Sequence, residues 1–64
     1  PSTDLVGHTF VLPEDIIAAT PMQNKPTYHF SGIDWRLTSQ SDIVKGTVVE
    51  VTQADVGVLW VNSK

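Results

Sequence analysis

The stretch from Gly46 to Ser63, GTVVEVTQADVGVLWVNS, constrains most strongly what this chain can fold into. In its first half, Val49 and Val51 share one phase. Val48 and the polar side chains of Glu50 and Thr52 share the other phase. A period of two is the spacing of a β-strand that buries one face, so this half predicts a strand with its valines turned inward.

The second half of the stretch is apolar on both phases. Leu59 and Val61 form one phase, and Val58 and Trp60 form the other. We expect Leu59 and Val61 to face the core, because a buried indole N–H would need a hydrogen-bond partner. Trp60 and Val58 then face outward. Three roles stay open for Trp60: a cap on the core beneath a long connection, a contact with a partner protein, or a stacking surface for a base.

Three more short strands are predicted upstream. Thr27–Phe30 and Trp35–Thr38 alternate and form a hairpin about the turn SGID. Gly7–Leu12 is rich in β-forming residues and stops at Pro13, which has no N–H for a ladder. The predicted strands are Gly7–Leu12, Thr27–Phe30, Trp35–Thr38, Thr47–Gln53 and Val58–Asn62.

Two connections between these strands carry further expectations. Pro13–Pro26 contains three prolines and is predicted to be mostly irregular. Ser39 and Asp42 resemble a weak capping box, which predicts a short helical turn. Ile43 or Val44 should then plug the floor of the barrel.

The chain is short enough for one domain only. Its 64 residues contain no cysteine, so no disulfide stabilises it. Five short strands with almost no helix predict an all-β fold, a small five-stranded OB-like barrel with at most one short helical turn. Residues 1–5 are assigned to a flexible tail and residues 6–64 to the barrel. The inward set is predicted to be Phe10, Leu12, Tyr28, Phe30, Trp35, Leu37, Val49, Val51, Leu59 and Val61.

Charge and motifs argue against several classes of function. The formal net charge is −3, which disfavours nucleic acid and anionic membrane surfaces as partners. His8 and His29 are the only histidines, and both are interpreted as solvated surface residues. There is no nucleophile elbow, no metal-ligand spacing and no phosphate-binding loop. We therefore predict no enzymatic activity, no catalytic residue, no metal and no cofactor.

Three segments taken in order, VGHTFVL, FSGIDWRLTS and KGTVVEVTQADVGVLWV, resemble the C-terminal domain of NfeD-like proteins. The resemblance covers Val6 to Val61. It implies an OB-like barrel without catalysis of its own, normally attached to transmembrane helices and working with stomatin-, prohibitin- or flotillin-type membrane proteins. The chain begins at Pro1 without an initiator methionine, and we interpret it as a fragment of a longer, membrane-anchored protein.

The lead hypothesis is a non-enzymatic protein–protein interaction module, on the cytoplasmic side of the membrane. The predicted partner-binding residues are Trp60, Val58, Arg36 and His29. The partner implied by the resemblance is a stomatin- or flotillin-like membrane protein, and self-association into a homo-oligomer stays open. Two alternatives remain: an oligonucleotide-binding OB-fold domain, and an accessory domain of a membrane serine protease.

Overall fold

The computed structural model describes residues 5–64, which form five β-strands and a single 3-10 turn. The elements are β1 (Thr9–Val11), the 3-10 turn (Met22–Asn24), β2 (Thr27–Phe30), β3 (Ile33–Thr38), β4 (Val48–Asp55) and β5 (Val58–Ser63). The predicted all-β, OB-like fold with at most one helical turn is therefore confirmed. No helix within residues 5–64 is long and apolar enough to cross a membrane.

The five strands form one sheet in the order β1-β4-β5-β3-β2. β5 pairs antiparallel with β4 on one side and parallel with β3 on the other, so the last strand of the chain lies in the middle of the sheet. The sheet curls into a half-barrel. β1 and β2 do not pair with each other, so the closure that a full barrel would have is not reached.

The structure confirms the predicted β2–β3 hairpin, but its turn is shorter than SGID because Ile33 and Asp34 belong to β3. Phe30 pairs with Ile33, which leaves Ser31 and Gly32 as the two turn residues. Their φ angles are 56° and 78°, both in the left-handed region. Two consecutive positive φ angles are the mark of a type I′ turn, whose twist matches that of the flanking strands. Because only Gly adopts this conformation without strain, Ser31 is the costly member of the pair.

The core follows the predicted phases. Six of the ten expected inward residues are buried, and the other four, Phe10, Tyr28, Phe30 and Trp35, are half-buried and packed against them. The buried core also includes three residues outside the predicted set: Leu5, Ile16 and Ile43. Ile43 is 7% exposed and Val44 67% exposed, so Ile43 provides the predicted plug.

Two sequence expectations need correction. Leu5 had been placed in the flexible tail, but it is 6% exposed and belongs to the core, so the domain begins at least one residue earlier. Residues 1–4 of that tail lie outside the described residues. The helical turn lies at Met22–Asn24 and not after Ser39, because the segment around Ile43 forms a bridge to Ile16 instead.

Lys25 holds the long Pro13–Pro26 connection in place. Its side chain is only 5% exposed, and its Nζ donates to the carbonyls of Ile17 at 3.0 Å and Ala18 at 3.1 Å. The guanidinium of Arg36 donates to the carbonyl of Lys25 at 2.9 Å. These bonds tie the middle of the connection to its end and both to β3, which sets the position at which β2 begins.

Candidate interaction surfaces

The outer face of β5 carries an apolar patch in the middle of the sheet. Leu59 and Val61 are each 1% exposed, whereas Val58 and Trp60 are half-buried. The predicted phase of this strand is confirmed. Arg36 of β3 is the register neighbour of Val58. We call Val58, Trp60 and Arg36 the outer patch.

A bulge in β4 shapes one side of the outer patch. The register between β4 and β5 shifts between Val51 and Gln53, so Gln53 and not Thr52 lies beside Trp60. The hydroxyl of Thr52 donates to the carbonyl of Trp60 at 3.3 Å. Bulges bend a strand and redirect its side chains. Because of the bulge, the neighbour of Trp60 on the outer face is the polar Gln53.

The other side of the outer patch is formed by β3. Thr38, the register neighbour of Trp60, is only 3% exposed although its phase points outward. Other parts of the chain therefore cover Thr38 on the outer face of the sheet. Trp60 itself is also less exposed than a free surface side chain. The outer patch thus has a half-buried tryptophan side chain at its centre.

His29 stands apart from the other three predicted partner-binding residues. It lies on the edge strand β2, where its Nδ1 is 2.7 Å from Oδ1 of Asp34, its cross-strand neighbour. The two side chains are 70% and 73% exposed. The structure thus brings Trp60, Val58 and Arg36 together on adjoining strands and places His29 at the margin. The interpretation of His29 as a solvated histidine agrees with this exposure.

A second surface was not expected from the sequence. The gap between β1 and β2, which we call the seam, is bridged by a row of half-buried rings. The phenyl ring of Phe10 and the ring of Tyr28 stack with centroids 4.1 Å apart and planes 11° apart. The ring of His8 lies 4.9 Å from that of Phe30, and its Nε2 is 3.4 Å from the hydroxyl of Tyr28. We call His8, Phe10, Tyr28 and Phe30 the aromatic row.

The position of His8 corrects its interpretation as a solvated surface residue. It is half-buried in the aromatic row, with its ring 5.8 Å from that of Phe10. One signal in the sequence could have found it: His8, Phe10 and Leu12 alternate, so they share the inward phase of strand one. The seam itself left no such signal, since alternation gives the face of a side chain but not the identity of the neighbouring strand.

The described residues do not assemble a catalytic or metal-binding constellation. No pocket opens on the surface formed by residues 5–64. No group of three or more His, Cys, Asp or Glu side chains in that part of the chain is arranged to hold a metal ion. The closest acid–imidazole pair, His29 with Asp34, lies on an exposed strand edge and not in a cleft. What the arrangement offers is two surfaces, the outer patch and the seam.

Comparison of the sequence with protein-family models and with curated proteins finds no match.

Proposed function

We propose that this domain is a non-enzymatic protein–protein interaction module that binds its partner through the outer patch. The observation that carries the proposal is the position of Trp60, a partly open indole at the centre of the outer face with Val58 and Arg36 beside it. Trp and Arg are the side chains most enriched among residues that dominate binding energy, above all when they lie near the centre of an interface.

The surroundings of the outer patch suit a protein partner. The exposed Gln53 and Asp55 lie on the β4 side, and Arg36 lies on the β3 side. An apolar centre with a polar margin of mixed charge is the common anatomy of a protein interface. On the NfeD-like resemblance, the partner is a stomatin- or flotillin-type membrane protein, and the domain belongs to a membrane-anchored parent on the cytoplasmic side.

The test is an association assay with a purified soluble domain of a stomatin-type protein, by isothermal titration calorimetry. The protein alone is run in parallel by analytical ultracentrifugation to detect self-association. Trp60→Ala should weaken whichever association is found by about thirtyfold or more, as expected for a central Trp worth about 2 kcal/mol. Val44→Ala, which truncates an apolar side chain that is 67% exposed in another loop, is the matched control and should bind as the unaltered protein does.

Urea melts of the same variants separate binding from folding. Because Trp60 is half-buried, Trp60→Ala should lower the free energy of unfolding by about 1–2 kcal/mol. A loss of about 3 kcal/mol or more is typical of a buried aromatic and would make Trp60 a core cap instead. Equal affinity of Trp60→Ala and the unaltered protein, or no association in either assay, would reject the proposal.

A nucleic-acid ligand is disfavoured by charge and by ring geometry. The net charge is −3 and Lys25 is buried. The rings of Phe10 and Tyr28 lie against each other, which occupies one face of each ring that a base could otherwise use. A fluorescence titration with labelled single strands at physiological salt should show no saturation below about 100 μM, the weak end of non-specific binding. Micromolar binding with a steep salt dependence would favour the oligonucleotide-binding alternative.

A further inference from the structure

The seam has two unpaired strand edges that face each other. β1 and β2 end the strand order, so each pairs on one side only. In an antiparallel pair, the backbone N–H and C=O groups of alternate residues bond to the neighbouring strand, and those of the residues between them point away from it. Val51 N–H donates to the carbonyl of His8, and Leu12 N–H donates to the carbonyl of Thr47. The backbone groups of the even-numbered residues 8, 10 and 12 therefore face β4. The N–H and C=O groups of Thr9 and Val11 therefore point into the seam.

The facing edge is defined in the same way. Leu37 N–H donates to the carbonyl of Pro26, and the β2–β3 register continues from that bond with Tyr28 opposite Trp35. The N–H and C=O groups of Thr27 and His29 consequently point away from β3, into the seam. Both margins of the gap thus present backbone donors and acceptors to the same space.

The seam is wide enough to separate the two edges. No Cα of β1 lies within 8 Å of a Cα of β2, whereas paired strands lie about 4.8 Å apart and two strands that flank a third lie about 10 Å apart. The rings of Phe10 and Tyr28 still reach across the gap and stack. The two edges are therefore separated by more than the spacing of paired strands, yet side chains from both edges meet across the gap.

The two edges are short, which is one natural protection against strand addition, but they lack other common protections. Those other protections include lysines, prolines and bulges within the strand. The sequences of β1 and β2, TFV and TYHF, contain none of these within the strands. Val11 is 60% exposed and its neighbour Val48 is 45% exposed, so the outer side of the β1 edge is apolar.

We propose that the seam accepts an extended segment of a partner protein as a sixth strand, which closes the half-barrel. A folded second copy does not suit this space, because each of its own edge strands already has one side paired, whereas the seam requires a strand with both sides free. The aromatic row fills the floor of the seam, so the inward side chains of the segment must be small: Gly, Ala or Ser. This site is separate from the outer patch and does not depend on the function proposed for it.

Charge selects the flanks of the segment. Glu14 and Asp15 are exposed just beyond the end of β1, and Lys45, whose backbone N–H donates to Oδ1 of Asp15 at 2.6 Å, is exposed beside them. The net charge of the chain is −3. A segment with basic residues on either side of its small and β-branched centre complements this acidic balance.

The experiment is an NMR titration of the whole protein with a synthetic peptide, Lys-Val-Ala-Val-Ala-Thr-Lys with blocked termini. The amide signals of Thr9, Val11, Thr27 and His29 should shift and become protected from exchange, while the indole N–H signal of Trp60 stays in place. N-methylation of the two alanines, which removes backbone donors, should weaken binding by about tenfold or more. Replacing both lysines by glutamate should also weaken binding.

A matched pair of protein variants tests the same backbone contacts. Val11→Pro removes an N–H that points into the seam and not to β4, so the sheet should tolerate it at this edge. It should lose peptide binding, whereas Val11→Thr keeps the N–H and should bind as before. If Val11→Pro fails to fold, the N-methylated peptide on the unaltered protein decides alone. Shifts confined to the outer patch, no shifts at millimolar peptide, equal binding of the N-methylated peptide, or concentration-dependent pairing of the protein with itself through β1 or β2 would overturn the proposal.

Discussion

The two halves of this small sheet are held together in different ways. β4, β5 and β3 are joined by backbone hydrogen bonds, and the side chains beneath them, such as Val49, Leu37 and Leu59, are each 1% exposed or less. Across the seam, β1 and β2 share no backbone ladder and are linked by half-buried rings. The comparison teaches that side-chain stacking can close one side of a barrel while leaving its strand edges free. It also suggests that stability resides in the first half and adaptability in the second.

The largest effect is expected in the hydrogen-bonded half. Val51→Asp would place a carboxylate at a position that is 1% exposed, with no partner there for the charge. We expect a loss of more than about 4 kcal/mol, enough to unfold a domain of this size. Circular dichroism and one-dimensional NMR would show an unfolded chain. Val48→Asp, at a valine of the same strand that is 45% exposed, is the matched control and should cost about 1 kcal/mol or less. A folded Val51→Asp variant would contradict the assignment of this half as the core.

A change in the aromatic row of the seam should destabilise the protein less than a change in the buried core. Phe10→Ala removes the stacking partner of Tyr28, but the ring is only half-buried. The loss in free energy of unfolding should therefore be about 2–3 kcal/mol, below that of a fully buried aromatic. Urea melts followed by Trp fluorescence measure it. Phe10→Leu, which keeps apolar volume, should retain most of the stability. A loss as large as that of Val51→Asp would mean that the seam is as integral to the fold as the core.

Lys25 determines whether the connection before β2 keeps the seam in position. Lys25→Ala removes two charge-assisted hydrogen bonds that the buried Lys25 donates to the carbonyls of Ile17 and Ala18, and it should cost about 2 kcal/mol. Lys45→Ala, at an exposed lysine, is the matched control and should stay within about 0.5 kcal/mol. Amide exchange would test the comparison further, since β2 should lose protection before β4 does. Uniform loss of protection over the sheet would show that the two halves open together.

The smallest effect is expected at the β2–β3 turn. Ser31 has a positive φ of 56°, which Asn tolerates better than Ser. Ser31→Asn should therefore raise the free energy of unfolding by about 0.5 kcal/mol. The urea midpoint should rise with an unchanged slope. Gly32→Ala, at a φ of 78°, should lower the midpoint. A lower midpoint for Ser31→Asn would refute the type I′ assignment of this turn.

The partner-binding residues predicted from sequence show how far pattern alone extends. The outward phase of Trp60 followed from the alternation of Val49 and Val51, because strands that pair must share faces. That Arg36 lies beside Val58 did not follow, because β3 and β5 pair in parallel across 22 residues of chain, and alternation carries no information about such a neighbour. Whether this surface binds a protein stays a prediction.

The sequence by itself determined the all-β class, the approximate strand positions and the inward set, because a period of two and left-handed turn residues are local properties that each segment carries alone. His8 and Leu5 were missed at the start of the chain, where the alternation is short. Only the tertiary structure decided that β5 is the central strand and that β1 and β2 stay apart. Strand order, sheet curl and the width of the seam depend on how all the segments pack together. β1, β2 and β5 all read as short strands in the sequence, yet β5 lies at the centre of the sheet and β1 and β2 lie at its edges. The edge is where the backbone remains free to bind.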